Sequence, residues 1–556
     1  MSVTKSEKRY DYIVVGAGSA GCVVANRLTE DGSRRVLLLE AGPKDGSVIL
    51  KMPAALGLPL ESKRFNWGFI SEPEPGLDGR TSDQHRGRVL GGSSSINGMV
   101  FVRGNPLDYE AWAERGLPDW SYAHCLPYFR KMETFEKGAD EYRGGDGPLH
   151  VHSCRAENPL YQAFLGAGQD FGLPLTADQN GYMQEGVNVA QATTYKGERE
   201  STAVAYLKPV LRRSNLTVAP EARVLRIEMS GNRAEGVRYF DGRDEIVAFA
   251  DAEVILCAGA FGTPHLLMLS GIGDSEELNF HGITVKVHLP GVGQNLQDHV
   301  AVPLQYTTKK SVSPTRELSK IGRLVVGAKW MLTRSGLGAS NYFEVGAFFR
   351  GNDSVVYPNL QHEFFPMIGE FYRGEATVRD GFQYFTSVMR PKSRGRVSLK
   401  SANPSADPKI QLNFLTERED MDQMLEGIGK TREMIRQRSW DKLRGQEITP
   451  GTDNLSGPAL EAWVRANAGT GYHAVSTCRM GNDAMAVTDA AGRVHGTEAL
   501  RIIDASLMPQ LVTGNTNAPT IMIAEKLSDA VLNRRLPPSA AKFFHHAGAA
   551  AQENVI

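Results

Sequence analysis

A chain of 556 residues is longer than one ordinary hydrophobic core supports, so two domains or one elaborated α/β assembly is expected. With 62 Lys plus Arg against 63 Asp plus Glu and a net charge of −1, the composition shows no electrostatic footprint for nucleic acid or an anionic membrane, which makes a small molecule the default substrate. Cys22, Cys125, Cys154, Cys257 and Cys478 form no CxxC pair, arguing against a disulfide framework, a zinc knuckle, a haem attachment site or any metal centre, and for a reducing compartment.

The N-terminal "MSVTKSEKRYDYIVVGAG" has no separate apolar segment ahead of its first strand, and no stretch reaches the roughly 18 apolar residues of a membrane span. A cytoplasmic protein without a transmembrane segment is expected. Peripheral membrane attachment and oligomeric state, a homodimer included, stay open, and nothing basic and amphipathic in the sequence suggests attachment. The run "DYIVVGAGSAGCVVANRLTEDGSRRVLLLEAG" then reads as strand, glycine turn, helix and second strand, a βαβ unit. Gly16, Gly18 and Gly21 form GxGxxG between the strand and the helix opened by Ser19, where a tight turn, close approach to a pyrophosphate and helix packing all need a missing side chain. The helix N-terminus adds its dipole. Glu40, 19 residues past Gly21, stands where a carboxylate accepts hydrogen bonds from both ribose hydroxyls and disfavours a 2′-phosphate. This motif does not separate FAD from NAD, but the second glycine-serine loop, "RGRVLGGSSSINGMVFVRGN" at 86–105, is too elaborate for a plain NAD fold.

Strands recur in "NLTVAPEARVLRIEMSGNRAEGVRYF" and "AEVILCAGAFGTPHLLMLSGIG", both suited to the same nucleotide-binding body. From about Val300 to Asn454, runs such as "NYFEVGAFFR", "NLQHEFFP" and "GFQYFTSVMR" alternate as an antiparallel sheet does, followed by the polar helical "REDMDQMLEGIGKTREMIRQ". The chain returns to the first body at "LRIIDASLMP" and "APTIMIAEKLSDAVL". The expected fold is α/β: a Rossmann-like domain assembled from residues 1–160, 200–306 and 465–535, and a substrate domain from 161–199 and 307–464 built on an antiparallel sheet flanked by helices. An irregular, poorly ordered tail, 536–556, is expected to follow. In "NYFEVGAFFR", alternation places Tyr342, Glu344, Gly346 and Phe348 on one face. A carboxylate between aromatics needs a cation or several donors, and a quaternary ammonium in an aromatic cage would serve; an internal arginine and plain core packing are the competing explanation.

The 86–105 loop, "GAFGTPHLLMLSGIG" (259–273), "LPGVGQNLQDH" (289–299), "GTGYHAVSTCRMG" (469–481) and "TGNTNAPTIMIAEK" (513–526) together resemble the glucose-methanol-choline (GMC) oxidoreductases, from about Tyr10 to Leu536. The resemblance implies bound FAD, oxidation of an alcohol by hydride transfer to the flavin, a split FAD domain and an antiparallel substrate domain. It implies Gly91, Gly92, Ser93 and Asn97 at the isoalloxazine with Arg88 in the same loop, Val224 at the adenine, Asp504 at the ribityl-pyrophosphate unless it only caps a turn, and Asn517 beside the flavin. Where members with covalent FAD carry a histidine before the asparagine, this chain has Ile96, which has no nucleophilic nitrogen, so non-covalent FAD is expected. His473 matches the catalytic histidine, the base for the hydroxyl proton, and Asn515 the partner that holds the alcohol oxygen.

"MPAALGLPLESKRFNW", "EPEPG", "GGDGPL" and "LGASNYFEVGAFFR" are similar to segments of the bacterial choline dehydrogenases of that family, which implies oxidation of choline to betaine aldehyde, with glycine betaine as the further product. Glu344 then faces the trimethylammonium head, with Trp67, Tyr472 and Phe364 as cage aromatics. "YHAVST" stands where those enzymes usually carry a proline, and "IGEFYRGEATVRDG" is only loosely similar. Another primary alcohol, and a flavin-containing hydroxynitrile lyase, are the alternatives. The electron acceptor, a quinone, an artificial acceptor or oxygen, is not encoded in any motif, and one βαβ fingerprint leaves no place for NAD as a second cofactor.

Overall fold

A computed structural model describes residues 8–372, 375–451 and 456–546. The chain opens with strand β1 (Lys8–Val15), helix α1 (Ser19–Leu28) and strand β2 (Val36–Leu39). Every residue of β2 is buried, the continuous apolar run of a parallel strand covered on both faces. Short elements lead to β3 (Gly186–Val189), β4 (Leu216–Ala219), β5 (Arg223–Ser230), β6 (Arg233–Phe240), β7 (Glu245–Leu256) and α2 (Gly259–Leu269). Then come β8 (Val300–Thr308), α3 (Lys320–Thr333), β9 (Val345–Phe349), β10 (Leu360–Phe365), β11 (Phe382–Val388) and α4 (Arg418–Ile435). The chain continues through β12 (Arg444–Thr449), β13 (Gly469–Thr470), β14 (Leu500–Ile502) and α5 (Asn517–Val531).

The first sheet runs β4-β2-β1-β7-β6-β5, with β14 beside β7. β1 lies parallel to both β2 and β7, while β7, β6 and β5 form an antiparallel meander. Helices α1 and α5 are pinned together by the Ser19 hydroxyl donating to Asn517 Oδ1 at 2.7 Å and by a two-pronged Arg27–Glu525 pair at 2.8 and 2.7 Å, so the last helix completes the first βαβ unit.

The second sheet runs β12-β8-β11-β10-β9-β3, with β13 beside β8, and every pairing is antiparallel. One face buries Phe364, Phe382, Tyr384 and Trp440 as an aromatic cluster. The opposite face turns toward the first domain. Residues 300–306, assigned from sequence to the nucleotide-binding body, belong instead to this sheet, because β8 pairs with β11 continuously from Val300 to Tyr306. The tail to residue 546 has no helix or strand, yet it is not loose. Ser539 N–H donates to Ala123 O and Phe544 N–H to Tyr182 O, both at 2.8 Å, and His546 pairs with Glu185. Among the described residues no helix is long and apolar enough to cross a membrane.

Candidate active site

The two glycine loops are built against each other. Gly16 takes φ +100°, and a Cβ there would lie 2.6 Å from Cys257 O. Gly92 takes φ +54° and approaches so closely that its Cβ would lie 2.6 Å from Gly18 Cα, so both positions demand glycine. Gly21 and Gly91 stand behind the wall: a Cβ on Gly21 would meet Gly16 O at 1.8 Å, and Gly91 N–H donates to Ala17 O. One cavity of about 560 Å³ takes in Gly16, Gly18, Ser19, Glu40, Val224 and Asp504 together with Gly92, Ser93, Ile96, Asn97, Asn517, Tyr472, His473 and Asn515. Glu40 accepts the Ala17 and Gly42 N–H groups at 3.0 and 2.8 Å, one on each oxygen, while burial pushes its carboxyl up to about 7. Each oxygen keeps a lone pair for a ribose hydroxyl. Asp504 accepts Gly259 N–H, the Thr263 hydroxyl and both donors of Ser506, so it caps its own turn and also lines the cavity.

Arg88 does not line the cavity. Its guanidinium donates to Lys63 O at 2.8 Å and stacks on Trp67. Arg86, two residues earlier, lines the cavity instead, donating to His85 O at 2.8 Å and Tyr472 O at 3.0 Å with one nitrogen buried and unpartnered. Two residues apart, they would share a face of a regular strand; what separates them is their partners, Tyr472 O for Arg86 and Lys63 O with the Trp67 ring for Arg88. Ser93 Oγ accepts Gly87 N–H. Asn97 is fixed from behind by Arg199, which donates to its carbonyl at 2.6 Å and its side-chain oxygen at 2.8 Å; burial lowers this guanidinium to about 9. Nothing in the polar surroundings "YKGERES" marks Arg199 as a support for that loop.

His473 and Asn515 meet in the cavity, with Asn515 Nδ2 donating to His473 Nε2 at 3.0 Å and to Glu363 Oε1 at 3.2 Å. A second histidine lies behind. His299 Nδ1 is 2.9 Å from His473 Nδ1, and His299 Nε2 is 3.0 Å from Met389 O. Burial lowers His299 to about 4 and His473 well below the usual histidine range, so both rings are neutral near pH 7. A carbonyl only accepts, so His299 carries its proton on Nε2 and presents a bare Nδ1. That nitrogen accepts from His473 Nδ1–H, leaving the lone pair of His473 on Nε2, toward the cavity. Asp298 accepts His473 N–H at 2.7 Å and the Thr470 hydroxyl at 2.5 Å, which fixes the backbone under the ring.

The expected cage is only partly in place. Glu344 lies just before β9, not on it, and does not line the cavity. Both its oxygens are used, one by Ala156 N–H at 2.8 Å and one by the Ser340 hydroxyl at 2.5 Å. Phe364 points into the aromatic cluster behind the sheet. Trp67 lines the cavity, but Arg88 and Arg223 stand at 5.7 and 5.5 Å from its ring and it stacks on Phe69; two guanidinium charges make this a poor seat for a further cation. Tyr472 lines the cavity with 42% of its surface exposed, beside His85. Beside His473 and Asn515 a different carboxylate faces the cavity, Glu363 on β10, flanked on the same face by Gln361 and Phe365 and paired across to Phe385 on β11. Phe343, Phe365 and Phe385 form an aromatic wall, with ring centroids 5.2 and 6.3 Å from Phe343. Burial raises the Glu363 carboxyl, partly offset by Asn515, and no Lys or Arg pairs with it among the described residues. The alternation of "NLQHEFFP" held the signal for this face.

A dinucleotide cradle continuous with a neutral histidine, whose unprotonated nitrogen and the amide bonded to it face the same cavity, defines an oxidoreductase able to take a hydride from an alcohol carbon. Residues 10–301 and 391–524 match the two parts of the GMC oxidoreductase family. The chain belongs to that family, a flavoprotein oxidoreductase carrying FAD, and Ile96 offers no atom for a covalent link beside Asn97. It is 48% identical to an oxygen-dependent choline dehydrogenase of Paraburkholderia phymatum, over 98% of this chain and 96% of the relative. It is 47% identical to one of Chromohalobacter salexigens, over 98% and 99%. A pyridoxine 4-oxidase from Mesorbium loti superposes with a TM-score of 0.86 at 30% identity, covering 95% of this chain and all of that one.

Proposed function

We propose that this chain oxidises choline to betaine aldehyde, and the hydrate of that aldehyde onward to glycine betaine. FAD, held by the Gly16–Ser19 turn, Glu40, Val224, Asp504 and the 92–97 loop, supplies the hydride acceptor. The chain's own residues do the rest. His473 Nε2 accepts the hydroxyl proton, which frees the oxygen's electrons to drive the C–H bond apart. The Asn515 Nδ2–H that rests on His473 Nε2 donates instead to the alcohol oxygen as the hydroxyl takes its place on that nitrogen, which fixes the oxygen's direction while the other hydrogen stays on Glu363. Asp298 holds the His473 backbone in place through that change.

The observation that carries this reading is Glu363. It is a carboxylate facing the cavity without a cationic partner, against three phenylalanine rings and hydrogen-bonded to the amide that also touches the base. A substrate whose cation and hydroxyl are only two carbons apart matches a carboxylate and a base bridged by one amide, and the rings suit a quaternary ammonium. Glu363 therefore takes the role that the sequence assigned to Glu344. The raised carboxyl of Glu363 also favours a second reading, in which its protonated form hydrogen-bonds a neutral primary alcohol.

The test is anaerobic mixing of the yellow protein with choline and, separately, with the neutral isostere 3,3-dimethylbutan-1-ol. Choline is expected to bleach the flavin at concentrations at least about tenfold lower than the isostere, and Glu363→Gln to erase that preference. Equal response to both alcohols would move the neutral-alcohol reading to the front. No bleaching by any alcohol would favour the lyase chemistry instead.

A further inference from the structure

Helix α3 is packed inside out. Its only buried residue is Trp330, whose indole donates to Gly197 O at 2.7 Å, while Ile321, Leu324, Val325, Met331 and Leu332 are exposed, Leu332 at 86%. At about 100° per residue, these five together with Ala328 fall within one outward arc of roughly 120°. Gly322, Val326 and Trp330 lie on the opposite, inward side. The usual soluble helix has the reverse arrangement.

The charge around this stripe is as one-sided as its hydrophobicity. From 309 to 334 the chain carries Lys309, Lys310, Arg316, Lys320, Arg323, Lys329 and Arg334, with Glu317 as the sole acid. Arg334 is used internally, stacked on Trp330 and paired with Glu198 at 2.6 Å; the other six are exposed and form no salt bridge among the described residues. Lys320 and Lys329 border the apolar arc on its two edges. The overall charge of −1 conceals this patch because acids elsewhere on the surface balance it.

We infer that α3 is a docking surface for an anionic lipid bilayer, its apolar stripe entering the acyl boundary while the flanking lysines and arginines meet the headgroups. Interfacial helices combine these two features. A second copy of this chain fits poorly, because a two-fold contact through this patch would place six exposed cations against six. The helix is held rigidly enough to serve, by Trp330 and by Ser319, whose hydroxyl accepts Gly322 N–H at 3.2 Å. It also adjoins the cavity wall: Leu318 and Leu337, which bracket α3, pack with Leu56, Met99 and Phe365, and those three line the cavity. Docking would bring this side of the active site toward the membrane, where a lipid-soluble electron acceptor resides.

The experiment is co-sedimentation of the FAD-loaded full chain with vesicles of phosphatidylcholine alone and with about 30% phosphatidylglycerol. The wild type is expected to pellet with the anionic vesicles at low salt, to be released by high salt, and to partition at least about tenfold less after Leu324→Glu with Leu332→Glu. Flavin reduction by the soluble alcohol is expected to be equal in the two proteins. Wild type that ignores anionic vesicles, or a double variant that binds them as well as wild type, would overturn the inference. So would a wild-type dimer that the double variant converts to monomer, since the face would then be a contact between chains.

Discussion

The catalytic proton depends on which of four ring nitrogens carry hydrogens, and one backbone carbonyl sets the order. Met389 O fixes His299 as the Nε2–H form; His299 then fixes His473, two neutral rings in series. His299 is a positioning residue, since it does not line the reacting end of His473. Replacing it by leucine leaves His473 free to place its proton on Nε2, where it cannot accept one. His299→Leu is expected to slow anaerobic flavin reduction by roughly 10-fold to 10²-fold. His299→Asn, whose side-chain oxygen can stand near the lost Nδ1, is expected to recover much of that rate, with FAD bound in both. Equal rates in the leucine variant and wild type would dismiss the relay. The pH dependence has a defined sign. A base acts when neutral, and burial puts His473 well below 6.5, so the rate at saturating substrate is expected to stay level from pH 8 to about pH 6 and to fall only below that.

At the scale of strands and turns, legibility depended on whether a residue's role was local. The Gly16–Gly21 turn, Glu40 and the βαβ frame could be read because spacing along one unit determines them, and the His473 and Asn515 motifs because each lies in a distinctive loop. Glu344 and Phe364 could not be placed from sequence, because each depended on parity or strand boundaries, and Arg88 because its partners, Lys63 O and Trp67, lie in another segment. β9 begins one residue after Glu344, and a one-residue difference on β10 turns Phe364 away and Phe365 in. His299 stood in view in "LQDH", but its partner is 174 residues away. The amphipathic α3 was missed because its polar residues are spread around two edges of a short helix and the overall charge is balanced. Glu40, at the end of β2, supports a quantitative expectation. Burial holds its carboxyl near 7 without cofactor, while the ionised form accepts two ribose hydroxyls, one on each oxygen, more strongly than the protonated form can. FAD binding then releases a proton, so affinity rises with pH: the apoprotein is expected to bind FAD about tenfold more tightly at pH 8 than at pH 6. Titration by flavin fluorescence measures this, and Glu40→Gln should make the curve flat.

For the molecule as a whole, the two domains cannot separate without dismantling the site between them. The chain leaves the first sheet after β2, adds β3 to the second, returns for β4 to β7, crosses again at β8 and comes back for β14 and α5. Asp108, in the first domain, accepts Arg390 of the substrate domain at 2.6 Å and also the N–H and hydroxyl of Thr513, two residues before Asn515. The cavity draws its walls from both sides of this junction, so FAD must stabilise both. At a free concentration 100 times its Kd, a ligand of the native state adds about 2.7 kcal/mol. Unfolding entropy is about 2.1 cal/mol/K per residue, so melting of the whole chain as one unit would rise by roughly 2 °C, and melting of a unit half that size by roughly twice as much. Calorimetry of the apoprotein with and without FAD is expected to show a single transition that moves by the smaller amount. A second transition that stays in place when FAD is added would mean that one sheet unfolds on its own and that the crossings do not enforce cooperativity.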